Sequence, residues 1–221
     1  MKALHPSWPQ PNNIHAFTTL KNCGFEDLNL INTSNIPFWL EQEHGVNILS
    51  ANNTSTTVKA DGSFTQQKNI ICVVKTADCL PILITNKQGN FVAAIHAGWR
   101  GLSKGIIENF FIQTKDLNLK YQDLLFWLGP AIGPLVFEVG EDVLQKFDYS
   151  YNIAFKKIND KQNKYLANIY QIAKIALSKF EINNNQIFSE NLCTYSQPEL
   201  FYSYRREPSN SNRMLSLIWI D

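Results

Sequence analysis

Three side chains near the middle of the chain are the best equipped for chemistry. Cys79 stands between two short apolar runs, IICVVK (70–75) and PILIT (81–85), just before Pro81. His96 lies near the end of a third run, FVAAIHA (91–97), just ahead of the turn HAGWRG. Runs of this length read as strands, and a short loop such as the one over 84–91 pairs its strands antiparallel. A hairpin of that kind brings the thiol and the imidazole to one end of a sheet. Two chemistries then compete: a thiol nucleophile with histidine as its base, or two of three or four ligands to a metal ion. The plain alternative is that Cys79 is a small buried hydrophobe, as free cysteine usually is. Asp78, directly before the thiol, weighs toward a functional reading. His44, in FWLEQEHGVNI, is the candidate third ligand; Gly45 beside it permits a sharp reversal of the chain. An ordinary surface histidine is the alternative there.

The neighbouring turns suit an anion. In HAGWRG (96–101), Gly98 and Gly101 let backbone approach a ligand closely, and the helix that follows offers free N–H groups. Arg100 adds a forked cation matched to phosphate or carboxylate. A strand-to-helix turn with a surface arginine would look the same. GPAIGP (129–134) fixes a rigid turn that serves either as a pocket wall or as plain architecture. SYRREPSNSNR (203–213) carries Arg205, Arg206 and Arg213, which are either solvated or part of an anion pocket.

These residues need a scaffold, and the rest of the chain provides one. LLFWLG (124–129), QIFSE (186–190) and RMLSLIWI (213–220) read as further strands. Apolar spacing predicts helices over 101–118, 138–147 and 163–180. Residues 50–69 are polar and read as loop with one short strand at most. Strands and helices interspersed in this way predict an α/β (α+β) fold of mixed sheets flanked by helices, with 1–221 as a single domain. At 221 residues, 44% hydrophobic and 18% charged, the chain has the profile of a globular protein with a full core. Its net charge of +1 removes the excess of positive charge on which nucleic-acid and anionic-membrane binding rest. The four cysteines form no CxxC pair, the start has no continuous apolar stretch of a signal peptide, and no run is long enough to span a bilayer. A cytoplasmic protein with free thiols is expected, and a monomer is the default.

EQEHG (41–45), ADG (60–62), KTADCLPILI (75–84), AAIHAGWRGL (93–102), GPAIGPLVFEVG (129–140) and CTYSQPELFYSYRRE (193–207) together resemble the YfiH-like family. That family has been called a laccase-domain or multicopper polyphenol oxidase family, and more recently a FAMIN-type purine nucleoside phosphorylase family. The resemblance runs in order from about residue 16 to the C-terminus. It implies a zinc site made of His44, Cys79 and His96, which favours metal over nucleophile. Three protein ligands leave one position open, as in catalytic zinc sites. It also implies phosphorolysis of purine nucleosides, methylthioadenosine included, and deamination of adenosine. On this reading Asp78 handles a proton or supports a ligand histidine from behind, and Arg100, with Arg205 or Arg206, binds phosphate. The partners are then purine nucleosides and phosphate, with no nucleic acid and no membrane.

The chain departs from the family pattern in three places. Leu135 and Val136 stand where cysteine is frequent after GPxIGP, LNLINTSN (28–35) replaces a histidine-containing run, and SNR (211–213) replaces a glycine-containing turn. Three other functions remain to be weighed. A copper polyphenol oxidase needs several coppers held largely by imidazoles, and there are four histidines, two of them (His5 and His15) in the polar start; a single opportunistic copper in the His-Cys-His site stays open. A cytosolic hydrolase that edits peptidoglycan precursors would use the same metal or Cys79 on an amide bond. A non-catalytic zinc module would need a closed site with a fourth ligand, for which Cys72 and Cys193 are the alternatives.

Overall fold

The computed structural model describes residues 3–24, 35–53, 57–210 and 212–221. The architecture is mixed α/β, built on two packed sheets with helices on one side. The first sheet has five strands in the order Ala3–Leu4, Ile14–Thr19, Met214–Ile220, Ile70–Thr76 and Ile36–Phe38. The second has six, in the order Ile187–Phe188, Leu124–Leu128, Leu80–Asn86, Val92–Ala97, Gly62–Thr65 and Ile48–Ser50. Most pairs are antiparallel, and both sheets carry a parallel edge pair, so the sheets are mixed as expected.

The strand sequences explain the layering. Ile70, Cys72 and Val74 face one side of the first sheet and Ile71 and Val73 the other. The first set meets Leu83, Val92, Ala94, Leu125 and Trp127 of the second sheet, forming the inter-sheet core. The opposite face of the second sheet, with Leu80, Ile82, Ile84, Ile95 and Phe126, packs on Ile106, Phe110, Ile172 and Ala176 from the helices. Both faces of the central strands are covered, so these segments read as unbroken apolar runs rather than alternating ones.

Several predicted elements differ in detail. The helix expected over 101–118 is two helices, α1 (Trp99–Ser103) and α2 (Ile106–Thr114), followed by a 3-10 turn at Lys115–Leu117. Gly105 separates them at φ 87°, a left-handed conformation that a helix interior cannot hold. Over 138–147 the chain forms the strand Glu138–Gly140 and then only one turn, α3 (Glu141–Leu144). The segment 163–180 begins as the strand Lys164–Ala167, paired to both Glu138–Gly140 and Phe155–Lys157. Helix α4 (Ile169–Ser178) follows, with Asn168 as its N-cap accepting from the Gln171 N–H. Within 50–69, two strands form (Val58–Lys59 and Gly62–Thr65) where one at most was expected. The run 28–34 and Ser211 lie outside the described residues. Among the described residues no helix is long and apolar enough to cross a membrane.

Candidate metal centre and its cleft

Cys79 sits where the chain leaves the first sheet at Thr76 and enters the second at Leu80. The register of the following hairpin sets His96 opposite Pro81 and Ala97 opposite Leu80, so thiol and imidazole share one end of the second sheet. His44 arrives from the turn between Leu40–Glu41 and Ile48–Ser50. The ligand atoms of His44, Cys79 and His96 lie within 4.8 Å of one another, with His96 buried, Cys79 half-buried and His44 exposed. The two imidazoles meet edge to face, 4.7 Å apart. One thiol and two imidazoles are a donor set suited to zinc, and their spacing lets one ion be shared by all three.

The His44 turn is pinned from two sides. Gln42 forms a reciprocal pair with the end of the strand Ile70–Thr76: its side-chain amide donates to the Lys75 carbonyl (2.9 Å) and its oxygen accepts from the Lys75 N–H (2.7 Å). On the other side, the Asp61 carboxylate accepts from the backbone N–H groups of Glu43 (3.3 Å), His44 (2.9 Å) and Gly45 (2.6 Å). These bonds hold His44 at φ 58°, a left-handed conformation that costs a non-glycine residue roughly 1–2 kcal/mol. Asp61 also takes a hydrogen bond from Nδ1 of His96 (2.8 Å), and its own carbonyl accepts from the His96 N–H. Asp61 has no role in the sequence reading; its burial within Ala60–Phe64 shows only in the fold.

The electrostatics match the contacts. Burial pushes the Cys79 thiol up, but hydrogen bonds and charge from His44 and His96 outweigh it and bring the pKa down to about 6. Burial pushes His96 down, but Asp61 and Cys79 raise it to about 9. Without metal, both shifts favour the ionised pair, thiolate and imidazolium, near neutral pH. Burial also pushes Asp61 up, yet the bonds from His96, Gly45 and His44 hold its carboxyl below the usual range. Glycines make room for the group: a Cβ on Gly98 would stand 2.9 Å from Cys79 Sγ, and one on Gly101 would stand 2.9 Å from the Gly45 carbonyl oxygen.

Asp78 does not support a histidine. Its carboxylate accepts from the Thr194 hydroxyl and from the Arg205 N–H, both at 2.6 Å, and its carbonyl accepts from the Ile132 N–H. It therefore ties the Cys79 loop to GPAIGP and to the YRRE turn, and the carboxylate behind His96 is that of Asp61. Arg206 does not reach the cleft. Its Nη1 donates to the carbonyls of Thr194 and Tyr195 and its Nη2 to that of Phe201, all at 2.8 Å, which commits the guanidinium to holding a loop. Arg100 and Arg205 do line the cleft, together with Lys75 and Arg213. Arg205 lies over the Phe137 ring and donates to the Glu138 carbonyl, and Arg100 lies over Trp99. Cys72 is buried between the sheets, and Cys193 accepts from the Gly133 N–H; the ligand group among the described residues has three members, without a fourth cysteine.

The three ligand atoms open into a cleft of about 1010 Å³ whose apolar wall includes Leu40, Ile132, Phe137 and Ile169. Ile132 belongs to GPAIGP, so that turn does shape the pocket.

A family model described as multi-copper polyphenol oxidoreductase laccase matches residues 25–221. A Haemophilus influenzae protein named purine nucleoside phosphorylase is 37% identical, with both chains covered in full. The Escherichia coli protein named purine nucleoside phosphorylase YfiH is also 37% identical, with 99% of each chain covered. The crystal structure of Neisseria meningitidis protein NMB0706, of the family DUF152, superposes with a TM-score of 0.88 over all of both chains at 30% identity. A match over most of the sequence, full-length relatives and a shared fold agree that this chain belongs to the YfiH-like, laccase-domain family.

Proposed function

We propose that the chain, acting as a single domain, is a zinc-dependent purine nucleoside phosphorylase that also accepts methylthioadenosine and deaminates adenosine. The observation that carries this reading is the His44–Cys79–His96 group, which lines one cleft together with Lys75, Arg100, Arg205 and Arg213. The names of the full-length relatives support the phosphorylase part. The cleft is of the size that encloses a nucleoside together with phosphate. Apolar Ile132, Phe137 and Ile169 offer surface to a base, and the cations offer donors to an anion. In phosphorolysis a phosphate oxygen bonds to C1′ of the ribose while the C1′–N9 bond breaks and its electron pair leaves with the purine. Arg100 and Arg205 hold the phosphate near that carbon, which neutralises its charge and fixes its orientation. His44, Cys79 and His96 would hold a zinc ion, which would supply Lewis acidity in the cleft. His96 stays oriented toward it by Asp61, and Asp78 holds the Arg205 turn in place.

Copper chemistry of the multicopper kind is poorly matched. His5 packs toward Phe17 and His15 stacks on Trp219, which leaves two imidazoles at the cleft. The test is metal analysis combined with incubation of adenosine with and without phosphate, the products separated by chromatography. About one zinc per chain, with adenine and ribose-1-phosphate formed only when phosphate is present, is the expected result. Inosine formed without phosphate is the expected sign of deamination. Zinc bound without any nucleoside turnover overturns the reading and redirects attention to amide-bearing cell-wall precursors.

A further inference from the structure

An ionised carboxylate offers only acceptors, with about four lone-pair positions on its two oxygens. Asp61 has four donors facing it. Oδ1 takes the His44 N–H and Nδ1 of His96; Oδ2 takes the N–H groups of Glu43 and Gly45. The residue is 1% exposed, so water does not compete for these bonds. All four donors belong to the site: three come from the turn that carries His44 and the fourth is the His96 ring. We infer that Asp61 is the positioning residue of the metal centre, a single carboxylate that sets the His44 turn and the His96 ring against each other and fixes Nε2 of His96 as the atom left to bind metal.

The neutral amide of the same shape does not meet these demands. Asparagine has nearly the same shape but replaces one acceptor oxygen with an NH₂ donor. If that NH₂ takes the Oδ2 place, it confronts two backbone N–H groups and disrupts the His44 turn. If it takes the Oδ1 place, it confronts the His44 N–H and turns Nδ1 of His96 into an acceptor. The ring proton then moves to Nε2, the atom the metal needs. Either arrangement damages one of the two imidazole ligands. Hydrogen bonds of this type behind a ligand histidine set its tautomer and basicity, and losing one typically weakens metal binding by about 10–100-fold.

The inference rests on the proposed metal reading, and the experiment separates the two. Zinc is titrated into metal-depleted full-length protein against a chromogenic chelator, for the wild type and for Asp61→Asn, with cobalt spectra recorded on both. The expected result is tight binding by the wild type and about 10–100-fold weaker binding by Asp61→Asn, with a shifted cobalt ligand-field band and an unchanged circular dichroism spectrum. Equal affinity and identical cobalt bands would overturn the role of Asp61 while leaving the metal centre standing. No zinc uptake by the wild type would overturn the metal reading and this inference with it. If Asp61→Asn does not fold, long-range ¹H–¹⁵N spectra of zinc-loaded wild-type protein decide the matter. They should show His96 protonated at Nδ1 and bound through Nε2; binding through Nδ1 overturns the inference.

Discussion

Gly98 and Cys79 are in such close approach that a single added carbon on the glycine would stand 2.9 Å from the sulfur and 3.3 Å from Cδ2 of His44. The backbone of the HAGWRG turn is thus one wall of the candidate metal centre. Gly98 has ordinary extended dihedrals, φ −68° and ψ 160°, so an alanine there meets no backbone strain, only the thiol and the imidazole. Gly98→Ala is therefore expected to fold, with overpacking that costs about 1–3 kcal/mol, and to lose zinc because the thiol and His44 are pushed apart. Thermal denaturation and metal analysis of the same sample check this. A variant that retains full zinc stoichiometry would show that the ligands can move without loss.

Metal binding should release one proton from the Cys79–His96 pair. The folded imidazole pKa is raised from 6.5 to about 9, so its stabilising contribution is full below 6.5 and is lost as pH rises through about 9. The folded thiol pKa is lowered from 9.0 to about 6, so its contribution is full above 9 and is lost as pH falls through about 6. Between pH 6.5 and 9 the pair holds one proton in both folded and unfolded chains, and the two slopes cancel. The pair should thus add no slope to the metal-free melting temperature in that window. Zinc takes both side chains deprotonated, so its affinity should rise about tenfold per pH unit there. Calorimetry in buffers of different ionisation enthalpy reads the proton directly; zinc binding without proton release would contradict the ion pair.

The same pair predicts which thiol reacts. At pH 7 a thiol with a pKa of about 6 is mostly thiolate, the nucleophilic form. Cys72 lies fully buried between the sheets, and burial pushes its pKa up to about 12. In metal-depleted native protein, iodoacetamide should modify Cys79 ahead of Cys72, and added zinc should protect Cys79. Peptide mass spectrometry after timed quenching distinguishes the sites. Labelling of Cys72 at a rate equal to Cys79 would show that the native fold does not separate them.

The parts of the molecule that were readable in the sequence are those fixed by local pattern. The strands at 70–76, 80–86, 92–97, 124–128 and 214–220 carry unbroken apolar runs because both faces are covered, and the short loop after Asn86 dictated the hairpin that brings His96 to Cys79. The helix errors came from apolar spacing that satisfies two structures at once. Lys164–Ala167 has residues a helix would bury, but its backbone is taken by strands on both sides. Asp61 and Gln42 were illegible for a different reason. Their partners lie 35 and 33 residues away, and no spacing rule links an acid in one loop to an imidazole on another strand. His44 and Asp78 share a further trait: both sit at positive φ, one a candidate ligand and the other next to one. Side-chain bonds hold each conformation: the Asp61 carboxylate accepts from the His44 N–H at the first, and the Asp78 carboxylate accepts from the Thr194 hydroxyl and the Arg205 N–H at the second. Strain of that origin leaves no composition signal.

Arg100 and Arg206 should separate binding from stability, although the sequence offered both as phosphate donors. Arg206 donates three bonds to loop carbonyls and pairs with Glu207, and the Thr194 it holds in turn holds Asp78. Arg206→Ala leaves those carbonyls without their charged donor, and a loss of about 3 kcal/mol is expected. Arg100 is exposed at the cleft, with its guanidinium over Trp99. Arg100→Ala should change stability by no more than about 0.5 kcal/mol, while losing one charge-assisted bond to phosphate should raise the phosphate KM about tenfold. Denaturant melts and phosphate-dependent rates on both variants form the test. A phosphate KM unchanged in Arg100→Ala would move the anion to Arg205 and Lys75, because those cations line the same cleft.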